Sequence, residues 1–456
     1  MMLWKRIREA LLAHPSQKVA EENAEMTYEE LLIFAETYAE ELARQRCCAI
    51  LCHSEMATAM SLLSCFAAGV TAVPLSLRYG AAHCRKILEV LSPTALITDL
   101  DGSLAILPLE EPAYCEPEEH PALIMFTSGT TGLPKGAMLS ERNVLSNVGD
   151  ICDYLKVDSS DTFLIARPLY HAAVLNGEFL TALFKGAAIR FYSGSFQPAA
   201  VLSLIEDFGA TVFCGTPTLL SLMARFYRKN TPLPLKTLCI SGECMSAEVG
   251  KRIAAAFPNV NIYHIYGLTE ASPRVSYLPP GLFGRHPDSV GIPLASVSIK
   301  LLKENGQVAA LGEEGILYVK GPNVMLGYYN AKESTSRVLK DGWLCTGDIA
   351  LFTEEGLLKI KGRGDDMIIR AGMNIYPQEV EGRMKADERV KEILVYPFES
   401  PALGVGIGMK LVGDFESAEE VKKLCAELLP TYEIPNKIEL VEELSHNGSG
   451  KLKRKQ

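Results

Sequence analysis

The 456-residue sequence has no CxxC pair among its twelve cysteines, and its eight histidines are dispersed. That spacing excludes the usual structural zinc sites. A long membrane-spanning run is also missing. The longest apolar stretch, residues 60–77, is interrupted by Ser61, Ser64, Thr71, Pro74 and Ser76. It reads as a buried helix followed by a strand, not as a membrane span. Lys5, Arg6 and Arg8 precede only a short Ala-Leu-Leu-Ala stretch, so no signal peptide is expected. Unpaired cysteines then fit a reducing cytoplasm. Basic residues are outnumbered, 45 Lys and Arg against 55 Asp and Glu, for a formal net charge of −10. Such a field does not favour nucleic acid. The dense basic run at residues 451–455 reads on charge alone as a solvated end. Internal repeats and low-complexity segments are absent.

What is present is ordinary for a globular protein, with 48% hydrophobic and 22% charged residues. The length suggests about two to four domains. Thr27 followed by Glu30 forms a capping box, and Leu31, Phe34, Ala35, Tyr38, Ala39 and Leu42 recur at helical spacing. From there, short apolar strands alternate with helices. Strands are expected at 49–52, 70–75, 122–126, 163–166, 211–214, 238–240 and 262–265, with helices at 57–68, 199–208, 218–227 and 247–257. This alternation predicts an α/β fold with mostly parallel sheets covered on both faces. Near Ser289 the pattern changes to short strands and Gly or Asn turns, including the hairpin signal Asn305-Gly306. A β-rich subdomain is expected at about 289–360. The sequence Lys361-Gly-Arg-Gly-Asp-Asp366 reads as a hinge or linker. Beyond it about 90 residues carry their own helix (418–429) and strands.

The most informative stretch is Ile124-Met-Phe-Thr-Ser-Gly-Thr-Thr-Gly-Leu-Pro-Lys-Gly136. Thr127, Ser128, Thr130 and Thr131 supply hydroxyls. Gly129, Gly132 and Gly136 let backbone N–H groups approach a ligand, and Lys135 adds a cation. A polyphosphate is the economical ligand. The spacing differs from the common phosphate loop, where lysine directly follows glycine; here Leu133 and Pro134 intervene. Further along lies Tyr266-Gly-Leu-Thr-Glu270, beyond a strand, where ligands of open α/β sheets sit. Thr269 is suited to a phosphate oxygen, Glu270 to Mg²⁺, and Tyr266 to the face of a base. Asp348 closes Trp343-Leu-Cys-Thr-Gly-Asp348; a carboxylate there suits either a ribose diol or a turn cap. The remaining signals are Gly448-Ser-Gly-Lys451, Pro168-Leu-Tyr-His171 and Ser241-Gly-Glu243. Alone, the first two read as a frayed end and a loop histidine; the third follows the strand expected at 238–240.

The order of these motifs resembles the adenylate-forming superfamily, which includes acyl- and aryl-CoA ligases, luciferases and peptide-synthetase adenylation domains. The resemblance spans nearly the whole chain. It implies a large N-terminal domain, residues 1–362, and a small mobile α+β C-terminal domain, residues 363–456, turning at a hinge at Asp365. It implies that the loop from Thr127 to Lys135 holds the phosphates of ATP, with Tyr266, Thr269 and Glu270 in the three roles given above. Asp348 and Arg363 contact the nucleoside. Lys451 stabilises charge as a carboxylate attacks the α-phosphate, although Ser445-His446-Asn447 replaces the usual prelude. His171 lies beside the acid. The amino-acid branch carries an aspartate in that region; no acid stands between Arg167 and Asn176 here. The expected substrate is therefore a carboxylic acid without an α-amino group. Gly372 matches a glycine beside the pantetheine tunnel. The segment 399–413 is short, so the small domain looks trimmed. CoA is the favoured thiol acceptor and an acyl carrier protein the runner-up. An ordinary phosphate-loop NTPase or a non-catalytic relative fits poorly with the lysine spacing and with Glu270, Asp348 and Lys451. The Gly404-x-Gly-x-Gly408 run opens no helix and reads as a strand.

Overall fold

A computed structural model describes residues 1–22, 24–76, 81–100, 103–109, 113–127, 134–192, 194, 196–227, 233–370, 373–400, 404–430, 433–446 and 452. Ser128, Gly129, Thr130, Thr131, Gly132, Gly372 and Lys451 lie outside them.

Two large sheets dominate. The first has nine strands. Six central strands run parallel in the order Asn261–Gly267, Thr237–Ser241, Val212–Gly215, Thr162–Ile165, Ala188–Phe191 and Lys18–Glu21. Antiparallel strands close both edges, Arg274–Leu278 with Ile292–Pro293 on one side and Ala24–Thr27 on the other. The second sheet has seven strands, ordered Gly327–Tyr328, Lys135–Leu139, Leu123–Thr127, Thr71–Pro74, Cys47–Ile50, Ala95–Leu100 and Ser103–Pro108. Its central strands, Leu123–Thr127, Thr71–Pro74 and Cys47–Ile50, are buried almost throughout. The capping box forms as expected: Thr27 Oγ1 accepts from the Glu30 N–H and Glu30 reaches back to the Thr27 N–H, opening the helix Tyr28–Leu42.

The β-rich segment forms a five-stranded antiparallel sheet of Ser298–Leu302, Gly315–Lys320, Trp343–Phe352, Leu339–Lys340 and Leu358–Arg363. Its Asn305-Gly306 turn closes through Lys303 N–H to Gln307 O at 2.9 Å, with Gly306 at a φ of +80°. A 3-10 turn, Gly364–Asp366, follows the last strand.

The C-terminal region has a three-stranded sheet, Val390–Ser400, Gly404–Gly413 and Lys437–Leu440, with helices Pro377–Met384 and Ala418–Leu428. Ile375, Val380, Ile393, Met409 and Val421 belong to a core of its own. The Gly404-x-Gly-x-Gly408 run is strand, as expected. Gly406 lies under the ring of Phe398, where a Cβ would come within 2.6 Å. This region docks on helices Pro217–Phe226 and Ala247–Ala256 through main-chain oxygens and through the Lys385 side chain, whose Nζ donates to Thr218 Oγ1 at 3.3 Å. Arg252 donates Nη1 to Ala386 O at 2.7 Å and Nη2 to Lys385 O at 2.5 Å, and Arg225 reaches Val390 O at 3.4 Å. All twelve cysteines are free thiols. Among the described residues, no helix is long and apolar enough to cross a membrane.

Candidate active site

The site draws on strands of the nine-, seven- and five-stranded sheets. Leu123–Thr127 delivers Thr127, and Lys135 begins the adjacent strand directly opposite it. The Thr127 hydroxyl lies 3.4 Å from Lys135 O. Gly136 owes its identity to packing: a Cβ there would stand 2.7 Å from Ile124 Cγ2 and 3.1 Å from the Phe126 ring. It was counted above among the ligand-approach glycines; the structure assigns it to the sheet instead.

The strand Gly327–Tyr328 pairs with Lys135–Leu139. This brings the Tyr328 ring to 5.4 Å from Lys135 Nζ. The Tyr328 hydroxyl donates to Glu270 Oε1 at 2.8 Å. Glu270 sits in the 3-10 turn Thr269–Ala271 just beyond Asn261–Gly267, and its carbonyl accepts from Met325 N–H at 2.9 Å. Thr269 opens the same turn. A Cβ at Gly267 would collide with the Pro273 carbonyl, so only glycine lets the chain fold back there. Sequence reasoning missed Tyr328; the Gly-Tyr-Tyr-Asn run at 327–330 carries no signal without the strand pairing.

Tyr266 donates its hydroxyl to Asp348 Oδ2. Asp348 is 8% exposed, and its Oδ1 lies 3.6 Å from Arg363 Nε, directly across the pair of strands that carry them. Tyr266, Asp348 and Arg363 therefore form one chain, and Lys135, Tyr328 and Glu270 another. Burial, then the Glu270 charge, pushes the Tyr328 phenol well above its usual range. Burial and the neighbouring Asp348 do the same to Tyr266. Both phenols stay protonated and act as donors to their carboxylates.

His171 stands on a separate element. Its carbonyl accepts from Val174 and Leu175 N–H at 2.9 Å each, and its ring lies 4.1 Å from that of Tyr170. The chain continues as a π-helix, Leu175–Leu180, containing Glu178, which is fully buried. This acid lies just past the stretch 167–176. It is tied to Arg167 Nη2 at 2.6 Å. Burial pushes its pKa up against the pull of Arg167. The pair is neutralised internally, which leaves no spare negative charge for an ammonium group. Glu243 accepts from the Thr218 N–H and hydroxyl at 3.2 and 2.6 Å, holding the start of Pro217–Phe226.

Chemically, the arrangement offers a protected carboxylate for a diol, a second carboxylate for a hard cation, and a lysine at the exit of a hydroxyl- and glycine-rich loop. The AMP-binding enzyme family matches residues 7–329. A feruloyl-CoA synthase from Amycolatopsis sp is 32% identical over 415 residues, covering 86% of this chain and 84% of the relative. A long-chain-fatty-acid–CoA ligase of Bacillus subtilis (strain 168) is 33% identical over 352 residues, 75% of this chain and 62% of the relative. Among solved structures, the o-succinylbenzoate CoA synthetase of Bacillus subtilis, in complex with its acyl-adenylate intermediate, superposes with a TM-score of 0.86 at 28% identity. That match covers 98% of this chain and 96% of the other. The chain belongs to the AMP-binding enzyme family, in the acyl- and aryl-CoA ligase branch of the adenylate-forming superfamily.

Proposed function

We propose that the chain activates a carboxylic acid lacking an α-amino group with ATP and passes the acyl group to the thiol of coenzyme A. A carboxylate oxygen attacks the α-phosphorus, the bond to the bridging oxygen breaks, and pyrophosphate leaves with that electron pair. The thiol sulfur then attacks the acyl carbon of the adenylate and AMP departs. The first step is catalysed mainly by positioning and charge neutralisation. The observation that carries the reading is the pairing of two carboxylates with two phenols, Asp348 with Tyr266 and Glu270 with Tyr328, the second pair beside Lys135. It is supported by relatives that are CoA ligases, and by the o-succinylbenzoate CoA synthetase, whose structures include one with ATP and a magnesium ion.

In this reading Thr127, Ser128, Gly129, Thr130, Thr131, Gly132 and Lys135 hold the phosphates. Thr269 contacts a phosphate oxygen, and Tyr266, Asp348 and Arg363 hold the nucleoside. His171 borders the acid, and Lys451 meets the developing charge. Glu270 would hold Mg²⁺. It is a half-buried hard ligand, and no cluster of three or more His, Cys, Asp or Glu exists among the described residues. One protein carboxylate plus phosphate oxygens suits Mg²⁺. When bound, the ion neutralises phosphate charge. Residues 363–456 act as a small domain that turns at Asp365 between the two half-reactions. Twelve free thiols support a cytoplasmic setting.

The test is a pyrophosphate-release screen over aliphatic, aromatic and amino acids. The preferred acid is then supplied with either CoA or a phosphopantetheinylated carrier protein, and the thioester is measured by mass. Acyl-CoA is expected. Efficient carrier loading with negligible acyl-CoA overturns the acceptor, and robust activity with a common amino acid overturns the acid class.

A further inference from the structure

The helix Pro377–Met384 of the C-terminal region ends against the helix Ala247–Ala256. The last carbonyls of a helix have no partner inside it and carry the negative end of its dipole. Here Lys385 is the C-cap, and Lys385 O and Ala386 O both accept from the half-buried Arg252 guanidinium. One cation thus caps a helix that belongs to the other region. Lys385 adds a tie of its own through Thr218, whose hydroxyl is held in turn by Glu243 at 2.6 Å.

Gly382 marks the same seam from the other side. It lies inside the helix, where glycine is a poor former, and no positive φ requires it. A Cβ there would stand 3.3 Å from Ser246 Cβ, and Ser246 is the N-cap of Ala247–Ala256. The close approach of these two helices accounts for the glycine. Arg252, Gly382 and Ser246 hold no ligand in the reading above.

The o-succinylbenzoate CoA synthetase of Bacillus subtilis superposes on this chain with a TM-score of 0.86 in complex with ATP and a magnesium ion. A double mutant of the same synthetase, bound with its product analogue OSB-NCoA, superposes at 0.72. Each match covers 98% of this chain at 28% identity. Two substitutions do not alter a fold, so the gap in score is a difference of shape. The arrangement described here is the one nearer to the ATP complex.

Resting on the two-step reading above, we propose that Arg252 is a positioning residue for adenylate formation. Its guanidinium holds the small domain in the arrangement from which the acid attacks ATP, and it releases both carbonyls before the thiol attacks. Its partners are backbone oxygens of the small domain, so its loss lowers the population of that arrangement.

The test is Arg252→Ala in the full chain, with each half-reaction followed in a single turnover. Adenylate formation is expected to slow about tenfold or more, as for lost hydrogen bonds to a charged group. Thiolysis of supplied acyl-adenylate keeps the parent rate or exceeds it. Hydrogen exchange gives a readout independent of turnover: amides at 385–390 and in Ala247–Ala256 exchange faster, while those of Gly404–Gly413 keep the parent protection. Arg252→Lys offers one ammonium in place of the fork and recovers only part of the rate. Gly382→Leu wedges the two helices apart and gives the same split between half-reactions; if it does not fold, Arg252→Ala carries the test. Equal loss in both half-reactions, loss confined to thiolysis, full recovery with lysine, or unchanged exchange at 385–390 overturns the proposal. A parent chain that forms no adenylate with any acid overturns the two-step reading, and the proposal with it, before any variant is made.

Discussion

The hydroxyl of Tyr328 stands 2.8 Å from Oε1 of Glu270, joining two residues 58 positions apart. The strand Gly327–Tyr328 is thereby tied to the turn proposed to carry the magnesium ligand. The carboxylate is aimed by a phenol that burial keeps protonated.

Tyr328→Phe keeps the ring beneath Lys135 but removes the donor to Glu270. A hydrogen bond to a charged group is typically worth about 1.5–3 kcal/mol, so KM for MgATP is expected to rise about 10- to 100-fold. Glu270→Gln raises the magnesium requirement more sharply, and the two changes together are less than additive because they remove one shared interaction. Magnesium titrations of pyrophosphate exchange measure this. A normal titration in Glu270→Gln removes that residue from the metal site.

Asp348→Asn takes the anionic acceptor away from Tyr266 and Arg363 together. KM for ATP is expected to rise about 10- to 100-fold, as for a lost charge-assisted contact. Steady-state titration of ATP at fixed acid reads the effect directly, and an unaltered KM assigns Asp348 to a purely structural role.

Lys451→Ala is expected to abolish adenylate formation while sparing thiolysis of supplied acyl-adenylate. The loss in the first half-reaction is about 10²- to 10³-fold, as for one positioned charge-stabilising group. Single-turnover assays of each half-reaction separate the two. Equal loss in both refutes the assignment.

Asp365→Pro fixes a φ in the turn Gly364–Asp366 and restricts Gly364 before it. One half-reaction is expected to survive and the other to collapse. Full overall turnover in this variant means that the small domain does not turn at this residue.

His264 is buried in the nine-stranded sheet, with its Nδ1 3.0 Å from Pro287 O, and burial pushes its pKa down to about 4. The unfolded chain, with a histidine pKa of about 6.5, binds the proton more readily. Stability from the neutral ring is therefore fully present above that value and is lost as pH falls towards 4. The full difference is about 3 kcal/mol. Denaturant melts from pH 7 to 4.5 should show a shallower pH slope in His264→Gln than in the parent. Parallel slopes count against the buried neutral ring.

Much of the fold was legible because its signals are local. The period of the apolar residues gave the helix Tyr28–Leu42, and its cap is written in Thr27 and Glu30. Strand-helix alternation gave the parallel sheets, and Asn305-Gly306 gave a turn of the antiparallel one. The conjunction of Tyr266 with Asp348 was only half legible. Each sits in a recognisable motif, but their hydrogen bond depends on how two separate sheets dock. Tyr328 and the buried Arg167–Glu178 pair were not legible. Their partners are set by strand register and by a π-helical turn, which leave no periodic trace in the chain.

The grip of Arg225 and Arg252 on the small domain falls on backbone oxygens of residues 385, 386 and 390. A carbonyl is the same group whatever side chain it carries. At Ala386 the carbonyl partner is therefore free to drift in sequence, whereas Lys385 also donates from its side chain to Thr218 Oγ1 at 3.3 Å and Val390 is a core residue; the other partner rests on two guanidiniums. A substitution at Ala386 leaves the docking chemistry in place, whereas a single exchange of Arg252 for lysine removes the planar fork that spans two successive carbonyls. Tolerance to mutation across this boundary is accordingly one-sided, concentrated in the part of the chain that is proposed to move.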